Sequence, residues 1–268
     1  MFFNVNATIK RTASSMPLLV ERSVRRAAIG LVCDHPVLIQ NFVLKMFVLL
    51  FSLLAKMVIH REQKNNIPMI VMPFVERHPN TINEALISVD RARGEMPVLL
   101  VSGTPGYSDH VRGWCNWYQC IESPPVPHTL IEHALTNDKR GDTEDFLRWR
   151  TKEAWDALYS LKAFLKTKRN WLIWLQDDTV VIDLYDIPEQ DITCLRVGTE
   201  YCGMVAYKFK RWVVEEFVNR IELNMYHTPI DWILNDLTHD LGLTIHRVGK
   251  VQHKGKTSSN KRQRIVDR

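Results

Sequence analysis

The chain has 268 residues, of which 46% are hydrophobic, so it can bury a sizeable core, and one globular domain is expected. Its formal charge of +5 is uneven, because residues 1–66 hold nine lysines and arginines against three acidic residues, whereas the remainder is close to neutral. A neutral body lacks the basic face that nucleic acids require. This argues against nucleic acid as the main partner and favours small-molecule chemistry.

Residues 1–66 form a basic leader that contains an apolar stretch. From Phe42 to Ile59 the sequence FVLKMFVLLFSLLAKMVI is apolar apart from two lysines and a serine. We expect a helix over residues 38–59, and a signal-anchor is one interpretation, because lysines near helix ends can reach the membrane surface. A buried or interface-lying amphipathic helix is the alternative, since the run between the two lysines, Met46 to Ala55, is short for a bilayer.

The five cysteines show no CxxC spacing, so a structural zinc site is not expected. Pairing of Cys115 with Cys120, or of Cys194 with Cys202, would suit an oxidising lumen. Buried free thiols in a cytosolic protein explain the same residues equally well. The sequence leaves both alternatives open.

Alternating strand and helix patterns begin at residue 67. The apolar run Ile67 to Phe74 predicts a strand, TINEALISVDRA predicts a helix capped by Asn80 or Thr81, and MPVLLVSG predicts a second buried strand. This β-α-β opening is typical of an α/β fold with a mostly parallel sheet. Ligands of such sheets bind at the carboxyl ends of the strands.

The middle of the chain predicts loops and then a long helix. Residues 104–128 predict a loop with a short helix, and residues 137–145 predict a second loop. The spacing of apolar residues from Thr143 to Lys166 predicts an amphipathic helix ahead of the strand WLIWLQDD. Three later elements are predicted, which are helices over Lys210–Tyr226 and Pro229–Leu241 and an extended segment over Ile245–His253.

The strand WLIWLQDD ends in two carboxylates, Asp177 and Asp178. Such a position lies at the carboxyl edge of the sheet and is suited to Mg²⁺ or Mn²⁺, which prefer oxygen ligands and offset the charge on a nucleotide leaving group. Paired aspartates after a strand are also common as turn or helix-capping residues without any catalytic role.

Four blocks of sequence, in order, resemble the N-acetylglucosaminyltransferase IV family (glycosyltransferase family fifty-four). They are MIVMPFVERHPNTINEALISV, WRTKEAWDALY followed by WLIWLQDD, CGMVAYKFKRWVVEEFVNRIELNMYHTPIDWIL, and VQHKGKTSS. The last two are the more specific, because PIDW and QHKGKTSS combine rare residues at fixed spacing. The resemblance covers residues 67–263 and leaves residues 264–268 as a basic tail.

The resemblance implies a GT-A (Rossmann-like) domain that transfers N-acetylglucosamine from UDP-GlcNAc to a mannose of an N-glycan, with inversion and in β-1,4 linkage. It implies Mn²⁺ or Mg²⁺ as the cofactor and a nucleotide sugar and a glycoprotein as partners. It also implies a Golgi membrane protein with a lumenal catalytic domain, if the leader acts as an anchor.

Individual residues take roles from the resemblance. Asp178 is the first metal ligand, Asp177 faces the nucleotide, and His253 is the candidate second metal ligand from the last strand. Asp231 in PIDW is the candidate base that takes the proton of the acceptor hydroxyl. Without the motifs, His253 would be a surface or packing residue, and Asp231 would be an N-cap of the helix after Pro229.

Further charged residues are candidates for contacts with the nucleotide. Arg150 and Lys152, on the helix before the metal strand, are candidate nucleotide or pyrophosphate contacts, and a solvated helix face is the alternative. Near His253, the candidate phosphate contacts are Lys254, Lys256, Ser258 and Ser259. The tryptophans are expected mainly in the core, although one of them would be available to stack on a sugar.

One departure from the family pattern leaves the activity open. Gln176 stands where the family has glutamate, which removes one charge beside the metal site. Three hypotheses follow: a GlcNAc transferase, a related transferase that uses another UDP-sugar on the glycan of lipid-anchored (GPI) proteins, and a non-catalytic glycan- or nucleotide-binding relative.

Overall fold

A computed structural model of the protein describes residues 37–75, 81–104, 109–138, 141–198 and 202–254. The chain separates into two compact units, residues 1–61 and 62–268. The sequence-based predictions for the leader before residue 37, for Asn80 and for the residues after Lys254 lie outside the described residues.

Helix α1 runs from Val37 to Asn66 and confirms the helix that was expected over residues 38–59. In the described part of the chain, no helix combines the length and the apolar character needed to cross a membrane.

The described residues form one eight-stranded sheet, in the order β3-β2-β1-β4-β7-β6-β8-β5. The strands are β1 (Met69–Phe74), β2 (Val98–Ser102), β3 (Gln119–Glu122), β4 (Trp171–Leu175), β5 (Thr179–Val181), β6 (Ile192–Arg196), β7 (Ala206–Lys210) and β8 (His246–His253).

The sheet is mixed. Strands β3, β2, β1 and β4 are mutually parallel, and β6 is parallel to β8. Strand β7 is antiparallel to both β4 and β6, and β5 is antiparallel to β8. The α/β fold class is therefore confirmed, but the mostly parallel sheet is not. The prediction was based on the β-α-β opening, which does not determine the strand directions in the second half of the sheet. There, a short connection such as that between β6 and β7 is sufficient for an antiparallel pair.

Helices cover both faces of the sheet. They are α2 (Ile82–Ala92), α3 (Asp109–Arg112), α4 (His128–Thr136), α5 (Glu144–Leu165), α6 (Arg211–Asn224) and α7 (Ile230–Asp240), with a 3₁₀ helix at Trp114–Asn116. The start of α5 is fixed by Thr143, whose side chain accepts a hydrogen bond from the backbone N–H of Phe146. The predicted helices α2, α5, α6 and α7 are confirmed, whereas α4 and strands β3, β5, β6 and β7 were not predicted.

The core has two parts, one on each face of the sheet. Along β1, Met69 and Val71 pack on one face with α5 and α6, whereas Ile70 and Met72 pack on the other face with α2. Successive residues of a strand point to opposite faces, so a strand covered on both sides is apolar throughout. This explains why the run Ile67 to Phe74 carries no polar alternation.

The cysteine pairs that the sequence left open are disulfide bonds in the structure. Cys115 pairs with Cys120, with 5.5 Å between their Cα atoms, and Cys194 pairs with Cys202 at 6.3 Å. The second bond joins β6 to the segment that enters β7.

Candidate functional site

The order of the strands reverses between β1 and β4. From β1 the chain continues to β2 and β3 on one side, whereas β4 lies on the other side of β1. Ligands of open α/β sheets bind in the crevice at such a point, beyond the carboxyl ends of the strands. One hydrogen bond joins the two sides of this crevice. The backbone N–H of Val75, after β1, donates to Oδ2 of Asp177, after β4, at 3.1 Å.

A cavity of about 210 Å³ opens at this switch point. Its polar lining is formed by Lys152, Glu153, Asp156, Gln176 and Asp177. The apolar lining includes Phe74, Trp149, Trp174, Met204 and Ile230. A few polar groups converging on an otherwise apolar cleft are typical of a small-molecule site.

The two aspartates after β4 occupy a tight turn. The backbone N–H of Gln176 donates to the carbonyl of Val205 at 2.9 Å, and the hydroxyl of Thr179 donates to the carbonyl of Gln176 at 2.6 Å. Asp177 and Asp178 are both buried, with 3% and 5% of their surface exposed. The turn directs Asp177 to the cavity and Asp178 to strand β8.

Asp178 meets the last strand of the domain. Oδ2 of Asp178 lies 3.2 Å from Nε2 of His253. The contact is set by the register of β5 and β8, in which Thr179 pairs with His253, and by the backbone N–H of Lys254, which donates to the carbonyl of Asp178 at 2.9 Å. The structure therefore brings together the two residues that the sequence analysis assigned to one metal.

The spacing of this pair, a carboxylate oxygen and an imidazole nitrogen, is compatible with two neighbouring ligands of a divalent cation. An octahedral Mg²⁺ ion binds its ligands at about 2.0–2.1 Å, which places adjacent ligand atoms roughly 3 Å apart. The 3.2 Å between Asp178 and His253 matches two such adjacent positions, and it equally matches an ion pair between the side chains. Among the described residues, no group of three or more His, Cys, Asp or Glu side chains assembles around one point. A cation held by this pair would need further ligands, which a bound anion and water can supply.

Asp231 does not cap helix α7, contrary to the alternative considered from the sequence. The helix begins at Ile230, and the capping position is Pro229, whose ring leaves no side-chain acceptor. Asp231 lies in the first turn, where the helix dipole favours a carboxylate, and its Oδ1 accepts a hydrogen bond from the N–H of Trp232 at 3.0 Å. The preceding residue, Ile230, lines the cavity.

Asp231 also acts on a tyrosine of the sheet. Burial raises the pKa of the Tyr207 hydroxyl to about 12. The positive charge of Arg247 lowers this pKa, and the negative charge of the Asp231 carboxylate raises it further. Asp231 is thus within electrostatic reach of β7, next to the strand that ends at the cavity. Asp231 itself is not part of the described cavity lining, which its neighbour Ile230 joins.

Arg150 and Lys152 differ sharply in their positions. Arg150 is 1% exposed, donates to Oδ2 of Asp142 at 2.9 Å and lies 3.9 Å from Asp138, so it is neither solvated nor part of the cavity lining described above. Its buried ion pairs account for Arg150 without a nucleotide. Lys152 lines the cavity and pairs with Asp156 one helical turn later.

The sequence analysis missed Asp156 and Gly103. Gly103 follows β2, and its N–H donates to the carbonyl of Phe74 at 2.8 Å. A Cβ atom at position 103 would overlap the Asp156 carboxylate and lie 3.0 Å from Cγ1 of Val75. A glycine directly after a buried strand is a signal of close approach, and it would have marked this position.

These features define the class of the protein as an α/β protein with a mixed sheet and, at the switch point of its strands, a mainly apolar cavity that carries a few polar groups. No known protein family and no curated protein matches the chain.

Proposed function

We propose that this protein is a metal-dependent GT-A glycosyltransferase that transfers GlcNAc from UDP-GlcNAc to a mannose of an N-glycan, as its sequence resemblance implies. The observation that supports this proposal is the meeting of Asp178 and His253 beside the cavity that Asp177 lines. These residues come from two separate blocks of the resemblance, WLIWLQDD and VQHKGKTSS. A shared function explains why both blocks contribute to one site.

The cavity and the residues beside it offer groups for the parts of a nucleotide sugar. Asp178 and His253 would hold Mn²⁺ or Mg²⁺, which offsets negative charge on the departing diphosphate. Lys152 can donate a hydrogen bond to a phosphate oxygen, and Asp177 can accept hydrogen bonds from hydroxyl groups of the nucleotide. Trp149 offers an aromatic face within the same cavity.

Asp231 is the proposed general base. As it removes the proton of the acceptor hydroxyl, the acceptor oxygen forms a bond to the anomeric carbon. The bond from that carbon to the diphosphate oxygen breaks, and UDP leaves with the electron pair. Attack opposite the leaving group inverts the anomeric carbon. The disulfide bonds accord with a lumenal Golgi location, which otherwise rests on the resemblance.

A second candidate function follows from Gln176, which lines the cavity where the family has glutamate. Loss of that carboxylate removes one negative charge from the vicinity of the cation. A non-catalytic relative that binds nucleotide or glycan without transfer would tolerate this change.

The release of UDP distinguishes these functions. Purified protein is incubated with UDP-GlcNAc, UDP-GalNAc, UDP-galactose or UDP-glucose and Mn²⁺, with an N-glycan or a GPI glycan as the acceptor. We expect release with UDP-GlcNAc and the N-glycan, abolished by EDTA. Release that requires another sugar and the GPI glycan supports the related transferase. Binding of UDP without release from any donor supports the non-catalytic relative, and absence of both binding and release rejects a nucleotide site.

A further inference from the structure

The disulfide bond between Cys194 and Cys202 ends beside the cavity. Cys194 lies in strand β6, and Cys202 precedes the start of β7, at Ala206, by four residues. Two residues after Cys202, the side chain of Met204 lines the cavity. Both cysteines are buried, with 1% and 3% of their surface exposed. The bond therefore connects a central strand of the sheet to a segment that forms part of the cavity wall.

Residues 202–205, here called the wall segment, lie beyond the ladder of the sheet. The register of β4 with β7 ends where Leu175 lies opposite Ala206. The register of β6 with β7 ends where Cys194 lies opposite Tyr207. A segment outside a ladder lacks the repeated hydrogen bonds that fix the path of a strand, so it opens locally more easily. The position of the wall segment therefore depends on individual contacts.

Strand β4 holds the wall segment from one side. The backbone N–H of Gln176 donates to the carbonyl of Val205 at 2.9 Å. The indole N–H of Trp174 donates to the carbonyl of Met204 at 3.1 Å. Because Trp174, Gln176 and Met204 all line the cavity, a shift of the wall segment away from β4 changes the shape of the cavity directly.

The disulfide bond holds the wall segment from the other side. It ties Cys202, the first residue of the segment, to β6, which lies on the opposite side of β7 from β4. A single hydrogen bond makes only a small net contribution to stability, so the two bonds to β4 alone restrain the segment weakly. A covalent link at the start of the segment limits its movement much more strongly.

We propose that the disulfide bond between Cys194 and Cys202 positions Met204 as a wall of the cavity, and that the cavity binds its ligand with full affinity only when this bond is formed. The two cysteines are positioning residues, because they act through the wall segment and lie outside the described cavity lining. The role in binding rests on the proposed function, since it takes the cavity as a nucleotide site. A wall that is in place in only about a tenth of the molecules raises the apparent dissociation constant about tenfold.

Calorimetric titration with UDP and Mn²⁺ tests the role in binding, at a temperature at which each protein is folded. The variant Cys194→Val/Cys202→Ala removes the bond and keeps the buried positions apolar. The matched control is Cys115→Val/Cys120→Ala, which removes the bond between the 3₁₀ helix and the edge strand β3. We expect the dissociation constant of the first variant to rise by at least about tenfold and that of the control to stay within about twofold of the parent.

Hydrogen exchange measured by NMR tests the wall segment without any ligand. The backbone N–H of Gln176 reports on the segment, because it donates to the carbonyl of Val205. Without the disulfide bond, we expect this N–H to exchange at least about tenfold faster than in the parent. The N–H of Gly103, which donates to the carbonyl of Phe74 at the same edge of the sheet, should exchange at the parent rate.

Parent-like exchange and parent-like UDP affinity in folded Cys194→Val/Cys202→Ala would overturn the inference. Failure of this variant to fold would also overturn it, because the bond would then support the whole domain rather than the wall segment. Faster exchange of Gln176 with unchanged UDP affinity would overturn the role in binding. A parent protein that does not bind UDP overturns the proposed function, and the exchange of Gln176 then decides by itself whether the bond positions the wall segment.

Discussion

The imidazole of His253 contacts the carboxylate of Asp178 across two antiparallel strands, with 3.2 Å between Nε2 and Oδ2. Strand β8 thereby fixes one side of the turn that follows β4, and the hydrogen bond from Val75 to Asp177 fixes the other. The two aspartates are adjacent in the chain but contact different residues, because Asp177 accepts a hydrogen bond from Val75 whereas Asp178 contacts His253. We therefore expect their substitutions to have different effects.

We predict that Asp178→Asn weakens the Mn²⁺-dependent binding of UDP by about 10- to 100-fold, because a neutral amide oxygen attracts a divalent cation less strongly than a carboxylate does. Titration of Mn²⁺ at fixed UDP, followed by calorimetry, measures the change. His246→Gln is the control, because His246 is exposed at the start of the same strand, away from Asp178. Equal Mn²⁺ dependence in Asp178→Asn and the parent would reject the metal site.

Asp231→Asn tests the proposed base. Replacing the Asp231 carboxylate by an amide should lower the rate of sugar transfer by about 10²- to 10⁴-fold, while UDP binding with Mn²⁺ is retained. Loss of the charge in the first turn should cost only about 0.3–1 kcal/mol of stability. Asp236→Asn, on the exposed side of the same helix, should transfer sugar like the parent. Transfer by Asp231→Asn within a few-fold of the parent would place the base elsewhere.

Gly103→Ala should perturb both stability and the cavity, because the added methyl group collides with Asp156 and presses on Val75. Overpacking of this kind costs about 1–3 kcal/mol, which urea unfolding detects. Gly113→Ala is the matched control, since a Cβ atom there meets nothing within 4 Å and the residue has φ of −60°. Identical unfolding midpoints for the two variants would contradict the close approach.

Arg150→Met should destabilise the fold by about 3–5 kcal/mol, because it removes a buried cation that forms ion pairs with the carboxylates of Asp142 and Asp138. Urea unfolding of Arg148→Met, two residues away, provides the comparison. Arg148 is about half exposed and pairs with Glu144 on the surface, so its loss should change stability by less than about 1 kcal/mol. A small effect of Arg150→Met would show that these ion pairs contribute little to stability, and a contact with a nucleotide would again be a candidate role for Arg150.

Local sequence patterns determined much of the first half of the sheet and most of the long helices. The strands ending at Phe74, Ser102 and Leu175 are continuous apolar runs, and their burial on both faces follows from that composition. Helix α5 follows from its apolar spacing and its cap at Thr143. The proximity of Asp178 and His253 was predicted from the family resemblance, because the two residues lie in separate blocks that carry the two parts of one motif.

Only the tertiary structure decided the direction of the later strands and the positions of the charges. Strands β5, β6 and β7 are three to five residues long, and apart from the pairing of β6 with β7 their partners lie far away in the sequence, so no local pattern fixes their pairing. A charged side chain on a helix, such as Arg150 or Asp156, carries no local mark of burial. The environment of such a side chain depends on other segments of the chain. Asp142 supplies the counter-charge for Arg150, and Gly103 leaves the space that the Asp156 carboxylate occupies.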